Sequence, residues 1–185
     1  MIAILLNDAS FEQDIRELLM AFYPGETFTH KEEEAGEAEL IVRGVRDGNS
    51  FSLDVTPVKK EAVHFALIYP DFSNRFETKN EIKQTLYRLL SAQTGRELPW
   101  GTLTGIRPTK IALTKLYDGW TDEQIETYMR ETYFTSKEKI DLSIDVAERE
   151  RRLLSTIDYE NGYSLYVGIP FCPTTCLYWS FTSFP

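Results

Sequence analysis

Apolar and polar positions follow different rhythms along this chain, and the changes of rhythm mark its elements. Residues 1–6 (MIAILL) form a continuous apolar run, which predicts a strand lying inside a sheet. From Ser10 the period becomes helical. Ile15, Leu18, Leu19 and Phe22 recur at three and four, Ser10 with Gln13 fits a capping box, and Pro24-Gly25 ends the helix. The acidic run 31–39 (KEEEAGEAE) reads as a solvated loop or hairpin turn rather than a metal or partner site. Two strand-like runs, 40–45 and 51–58, flank Asp47-Gly48, a strong hairpin signal. Residues 61–68 add a further strand carrying His64, for which a structural position is expected. From Phe76 the period is helical again, with Ile82, Leu86, Leu89 and Leu90 on one stripe that stops before Gly95. Residues 1–95 therefore predict β-α-β-β-β-α, an α+β unit with two helices against a mostly antiparallel sheet.

Glu97-Leu98-Pro99-Trp100-Gly101 reads as a linker, with Trp100 buried against a neighbouring element. Three helices are predicted next, over 108–117, 121–132 and 136–157. Thr121 with Gln124 supplies a capping box for the second, and Ile140, Ile144, Ala147 and Leu154 form the apolar stripe of the third, with Leu142, Val146 and Leu153 alongside. Residues 96–162 thus form a helical connector. Asn161-Gly162 turns the chain into an aromatic-rich apolar run, 164–170, which reads as a buried strand at the start of a last segment, 163–185.

Composition narrows the function classes. The chain has 185 residues, 42% of them hydrophobic, enough for a real core. Its net charge of −9 argues against a nucleic-acid surface or a basic membrane-binding stripe. No apolar run reaches the roughly 18 residues that would span a bilayer. The start MIAILLND lacks the positive region and cleavage site of a signal peptide. Two cysteines spaced C-x3-C do not make a secreted disulfide framework, so a reducing cytoplasm is expected.

Two stretches carry candidate chemistry. The first is WGTLTGIRPTK, 100–110, whose glycines and threonines can bring backbone N–H groups close to a ligand. Pro108 suits a helix start, so Arg107 and Lys110 are candidate anion contacts beside a helix N-terminus. The alternative is a junction in which Arg107 bonds loop carbonyls or an acidic neighbour. The second stretch holds the two cysteines, Cys172 and Cys176. By spacing alone they fit a reduced packed pair, a local disulfide or half a metal site. His30 and His64 are too isolated to complete one.

The string LYVGIPFCPTTCLYW, 165–179, resembles the cluster loop of radical S-adenosylmethionine enzymes, in particular oxygen-independent coproporphyrinogen III oxidases (coproporphyrinogen dehydrogenases) and their Bacillus-type relatives. Ile169, Pro170, Phe171, Cys172, Cys176 and Tyr178 match, and 100–110 resembles a segment upstream of that loop in the Bacillus-type branch. The resemblance is clear from about Trp100 onward and weak before it. It implies a [4Fe-4S] cluster that binds S-adenosylmethionine, an electron donor, and a porphyrinogen substrate whose propionates are oxidatively decarboxylated in haem synthesis. Carried over by position, Cys172 and Cys176 would be cluster ligands, Tyr178 would pack near the cluster or adenine, and Tyr166 would face the barrel interior. Position 179, where a third thiolate is expected, holds Trp, and an indole offers an N–H donor but no lone pair to a metal. The expectation is an inactive N-terminal part holding the first strand of a truncated βα barrel. A non-catalytic binding or assembly module with a vestigial loop is the alternative. Unpaired, strand 164–170 also predicts self-association, or a tuck of the segment against the chain's own helices.

Overall fold

The structure, a computed structural model, describes residues 1–58, 63–105, 107–158, 161–163 and 165–167. The chain divides into two compact units, Met1–Glu150 and Arg151–Pro185.

In the first unit, strands β1 (Ile2–Leu6), β2 (Phe28–Thr29), β3 (Leu40–Asp47), β4 (Ser50–Pro57) and β5 (His64–Ile68) form one sheet in the order β2-β1-β3-β4-β5. Both neighbours of β1 run parallel to it, whereas β3-β4 and β4-β5 are antiparallel. The sheet is therefore mixed, not mostly antiparallel. A short strand, β2, enters after helix α1 (Glu12–Phe22) and pairs on the outer side of β1. Such a two-residue strand leaves no alternation to read. The hairpin lies where Asp-Gly placed it: Asp47 pairs with Ser50, and Gly48 takes φ 56.

One face of the sheet is covered by α1 and by α2 (Arg75–Thr94). Ile15, Leu18, Leu19 and Phe22 of α1 are fully buried, as their spacing predicts, against Ile4, Val42, Phe51, Leu53 and Val55 of the sheet. Each such side chain contributes about 1.5–3 kcal/mol by leaving water. From α2 the same core receives Ile82, Leu86, Tyr87 and Leu90. Asn74 caps α2 by accepting from the Glu77 amide, and Gly95 closes it in the left-handed conformation at φ 67.

Two local expectations need correction. Ser10 does not cap α1. It lies inside a 3-10 turn (Ala9–Phe11) that Asp8 caps, with the Ser10 amide donating to Asp8 Oδ1 at 2.9 Å. Gln13 reaches Glu17 instead, at 3.0 Å. The acidic run is not a plain loop either. Glu32–Glu37 form a 3-10 turn that seats Ala35 and Ala38 on Ala3 of β1, while Lys31 and Arg43 pair with Glu34 and Glu32. Two small apolar residues within a charged run were enough to anchor it.

Helices α3 (Thr109–Tyr117), α4 (Asp122–Tyr133) and α5 (Lys137–Leu154) form a second core, built from Ala112, Leu113, Leu116, Ile125, Met129, Ile140 and Ala147. The capping box at Thr121–Gln124 is present, with hydrogen bonds of 2.9 and 3.3 Å. On α5 the buried line is Ile140, Ser143 and Ala147; Leu142 and Leu153, expected beside the stripe, are exposed. Ser143 is tolerated inside because its hydroxyl donates to the Lys139 carbonyl at 2.7 Å.

In the second unit, Leu165, Tyr166 and Val167 lie outside any regular element and are 74–89% exposed. Cys172, Cys176, Tyr178 and Trp179 lie outside the described residues, as do Ser164 and Gly168 to Pro170 of the expected strand.

Asp8 also accepts from Arg46 Nη1 at 3.0 Å. Its hydrogen bonds from Ser10 and then Arg46 lower its pKa from 3.8 to about 2. A carboxylate so lowered stabilises the fold above pH 3.8, and that contribution fades as pH falls toward 2. Asp8→Ala is expected to cost about 1 kcal/mol at neutral pH. Urea unfolding of both proteins should show the difference shrinking steadily below pH 4 (on the order of the unfolded pKa).

Candidate functional site

The stretch 100–110, singled out by its glycines, threonines and paired cations, joins the sheet unit to the helices. Its first half is a clamp. Gly101 sits at φ 56 with its α-carbon packed onto the end of α4; an added β-carbon would come within 1.9 Å of the Tyr133 carbonyl oxygen. Only glycine fits both the conformation and the space. The adjoining Thr102, itself buried, donates its amide to the same carbonyl at 2.7 Å, and the Ser136 amide donates to the Pro99 carbonyl at 2.9 Å. Trp100, expected to bury, is half-buried. Phe134, just beyond α4, adopts φ 57 and turns its ring onto Tyr87 of α2, with centroids 5.6 Å apart. Gln84 of α2 donates to the Glu131 and Thr132 carbonyls at 3.3 and 2.9 Å, serving the C-terminal end of α4.

A polar chain runs through the same junction. Lys83 of α2 is 7% exposed, and its ammonium donates to Thr104 Oγ1 at 2.9 Å. Thr104 in turn donates to Glu17 Oε2 of α1 at 2.9 Å. Burial lowers the Lys83 pKa below its ordinary value, and the negative charges of Asp14 and Glu17 oppose the shift. Neither Lys83 nor Glu17 stands out by type or spacing; on a helical wheel each is an ordinary solvated charge.

The second half of the stretch borders a cavity of about 420 Å³, walled by Phe76, Leu103, Pro108, Ile111, Tyr128 and Tyr133. Arg107, Lys110 and Lys115 bring three cations to it. Arg107 adopts φ 61, a left-handed conformation that costs a non-glycine residue roughly 1–2 kcal/mol. Its guanidinium donates to Glu150 Oε1 at 2.9 Å, the acidic-neighbour arrangement weighed as one reading of this arginine. Lys110 reaches no acidic partner among the described residues. Lys115 lies 4.2 Å over the Trp120 ring and 5.0 Å over Tyr128. The Tyr128 and Tyr133 hydroxyls are 3.3 Å apart, and burial, helped by that contact, raises the Tyr133 pKa. Arg107 and Lys110 were legible as a pair in sequence. The contributions of Lys115, Tyr128 and Tyr133 depend on the packing of α4 beside α3 in the helical core, which leaves no local signal.

Among the described residues no cluster of histidine, cysteine and carboxylate side chains could hold a metal ion. His30 bonds the Ile4 carbonyl through Nδ1 at 3.2 Å and faces Glu12 at 3.4 Å, while His64 is half-buried on β5. No described helix is long and apolar enough to cross a membrane. Tyr166 stands 89% exposed.

By sequence the chain is a relative of the oxygen-independent coproporphyrinogen-III oxidase-like proteins. It is 35% identical over 133 residues to one of them, protein HemZ of Bacillus subtilis (strain 168). That match takes in 70% of this chain and 26% of HemZ, so the chain spans about a quarter of the relative's length. Residues 100–185 number only 86, so a match of 133 residues also reaches well into the α+β unit. The likeness expected to be weak before Trp100 therefore continues upstream of it. No family model matches the chain, and no solved structure matches it.

The clamp makes a sharp prediction. Gly101→Ala should destabilise the protein by roughly 3 kcal/mol or more, from combined backbone strain and overlap with the Tyr133 carbonyl. Gly105→Ala, where an added β-carbon meets nothing within 4 Å, should change stability far less. Chemical denaturation of the two variants side by side measures the contrast.

Proposed function

We propose that this chain is the N-terminal part of a radical S-adenosylmethionine oxidoreductase acting on coproporphyrinogen III, whose propionates the whole protein converts to vinyl groups in haem synthesis. The observation that carries the reading is the HemZ relationship over 70% of the chain together with the loop IPFCPTTC, 169–176. In this reading residues 1–95 are an accessory domain, 96–162 a connector, and 163–185 the first barrel strand with the cluster loop. The packing of 100–104 onto α1, α2 and α4 supports a positioning task for the first two. They would form a rigid base from which the loop is presented in the cytoplasm to cofactor, porphyrinogen and electron donor.

The donor set present does not fit the family's cluster. Cys172 and Cys176 supply two thiolates, and Trp179 stands where the third belongs. Two thiolates hold two irons of a [4Fe-4S] cube, which leaves it short of the support that cysteine ligation gives. This chain is therefore expected to hold no complete cluster and to be inactive, with Tyr166 and Tyr178 beside a site it does not build. Trp179 also favours a second reading, a binding or assembly module keeping a vestigial loop. The exposure of Leu165 and Val167, 78% and 74%, supports self-association through that segment.

Anaerobic reconstitution with ferrous iron and sulfide tests this reading. The unaltered chain should retain well under four irons per molecule, and Trp179→Cys should raise the retained iron and bring a brown visible absorption. A full cluster on the unaltered chain, or no gain in the variant, would contradict it.

A further inference from the structure

We propose that the free edge of β5 is a pairing surface for a second copy of this chain, the two β5 strands running antiparallel across a two-fold axis. The inference rests on the sheet of the first unit. It involves neither the segment 164–170 nor the enzymatic reading.

β5 ends the sheet order β2-β1-β3-β4-β5, so one side of its backbone meets β4 and the other meets no strand among the described residues. At the opposite edge β2 is only two residues long and offers little to pair with. Natural sheet edges are commonly guarded by a charged residue, a proline or a bulge. Residues 63–69 (VHFALIY) contain no Lys, Arg, Asp, Glu or Pro. The strand alternates: His64, Ala66 and Ile68 are part-buried, while Phe65 and Leu67 are 60% and 47% exposed. Val63 and Tyr69, which flank it, are exposed as well.

The neighbouring strand decides how this apolar row is used. Phe65 pairs with Asp54 of β4 and Leu67 with Ser52, so polar residues stand directly beside the row. A further layer covering the whole face would need apolar residues on β4 too. Apolar surface confined to the last strand fits instead the addition of one more strand, whose side chains meet Phe65 and Leu67 across the new pair.

An identical strand suits that place. Paired about Ala66, Phe65 would face the second copy's Leu67, and Leu67 its Phe65, while His64 and Ile68 match in the same way on the other face. Such a contact is isologous and closes as a dimer. No charge on 63–69 calls for an acidic or basic peptide. Copies of a chain with net charge −9 repel one another, and an uncharged strand is where they meet at least cost. Val63, Phe65, Leu67 and Tyr69 together expose on the order of 500 Å² per copy, so a pair buries roughly 1,000 Å², the lower end for a specific interface. The dimer is therefore weak and concentration-dependent.

Sedimentation equilibrium of the full chain from about 2 to about 200 µM tests the interface. The average mass should rise toward that of two chains, and the amides of 64–68 should gain hydrogen-exchange protection over the same range. Phe65→Lys combined with Leu67→Lys, both at exposed positions, should weaken the dimer by roughly tenfold or more and leave the circular dichroism unchanged. Val63→Lys, outside the strand, should act in the same direction and decides the matter if the double variant does not fold. Leu165→Lys with Val167→Lys should leave the dimer intact. The proposal is overturned if the mass stays that of one chain throughout, or if a dimer forms without added protection in 64–68. It also falls if the folded β5 variants dimerise as the unaltered chain does, or if the 165 and 167 substitutions abolish the dimer.

Discussion

The contact between Gly101 and the last turn of α4 constrains everything else in the first unit. An α-carbon without a side chain lets the chain leaving α2 press directly on the Tyr133 carbonyl, and Thr102 seals that contact with its amide. Because α4 ends there, Phe134 can turn its ring onto Tyr87, and Gln84 can serve the helix's last carbonyls. The sheet core and the helical core are thereby joined by backbone-level contacts rather than by a flexible tether.

Lys83 shows that the junction is polar as well as packed. Burying an ammonium is costly, and a lysine at 7% exposure keeps its charge only with partners that replace water. Thr104 provides one directly and relays to Glu17, so three elements (α2, the 100–104 stretch and α1) are bound into one chain of hydrogen bonds. An apolar residue at 83 could fill the same space. What the lysine adds is direction, since Thr104 must accept from the ammonium and donate to the carboxylate at once.

The hydrophobic rhythm revealed most of the fold and little of the site. The helical stripes on α1 and α2, the Asp-Gly hairpin and the Thr121 capping box were all legible because local periodicity and local capping chemistry decide them. The partners of β1 were not, since a parallel pairing leaves no mark on the strands that make it and β2 is only two residues long. Leu142 and Leu153 misled because an apolar residue on the shoulder of a stripe can as well face water. At the site, Arg107 and Lys110 announced themselves beside glycines and a proline. Lys83 looked like any surface lysine, and Lys115 gained its meaning only when folding brought aromatic rings beneath it.

Kinship with HemZ extends over 133 residues, and in this chain the clamp, the buried lysine and the cavity all precede Cys172 and Cys176. The clamp joins the sheet core to the helical core only if residues 1–150 open as one body. Native-state amide hydrogen exchange measures this directly. The Leu53 amide in β4 and the Met129 amide in α4, both in fully buried residues, should exchange with the same free energy, that of global unfolding. Exchange at Met129 through an opening several kcal/mol cheaper than at Leu53, on the order of a separate sub-global unit, would contradict the account.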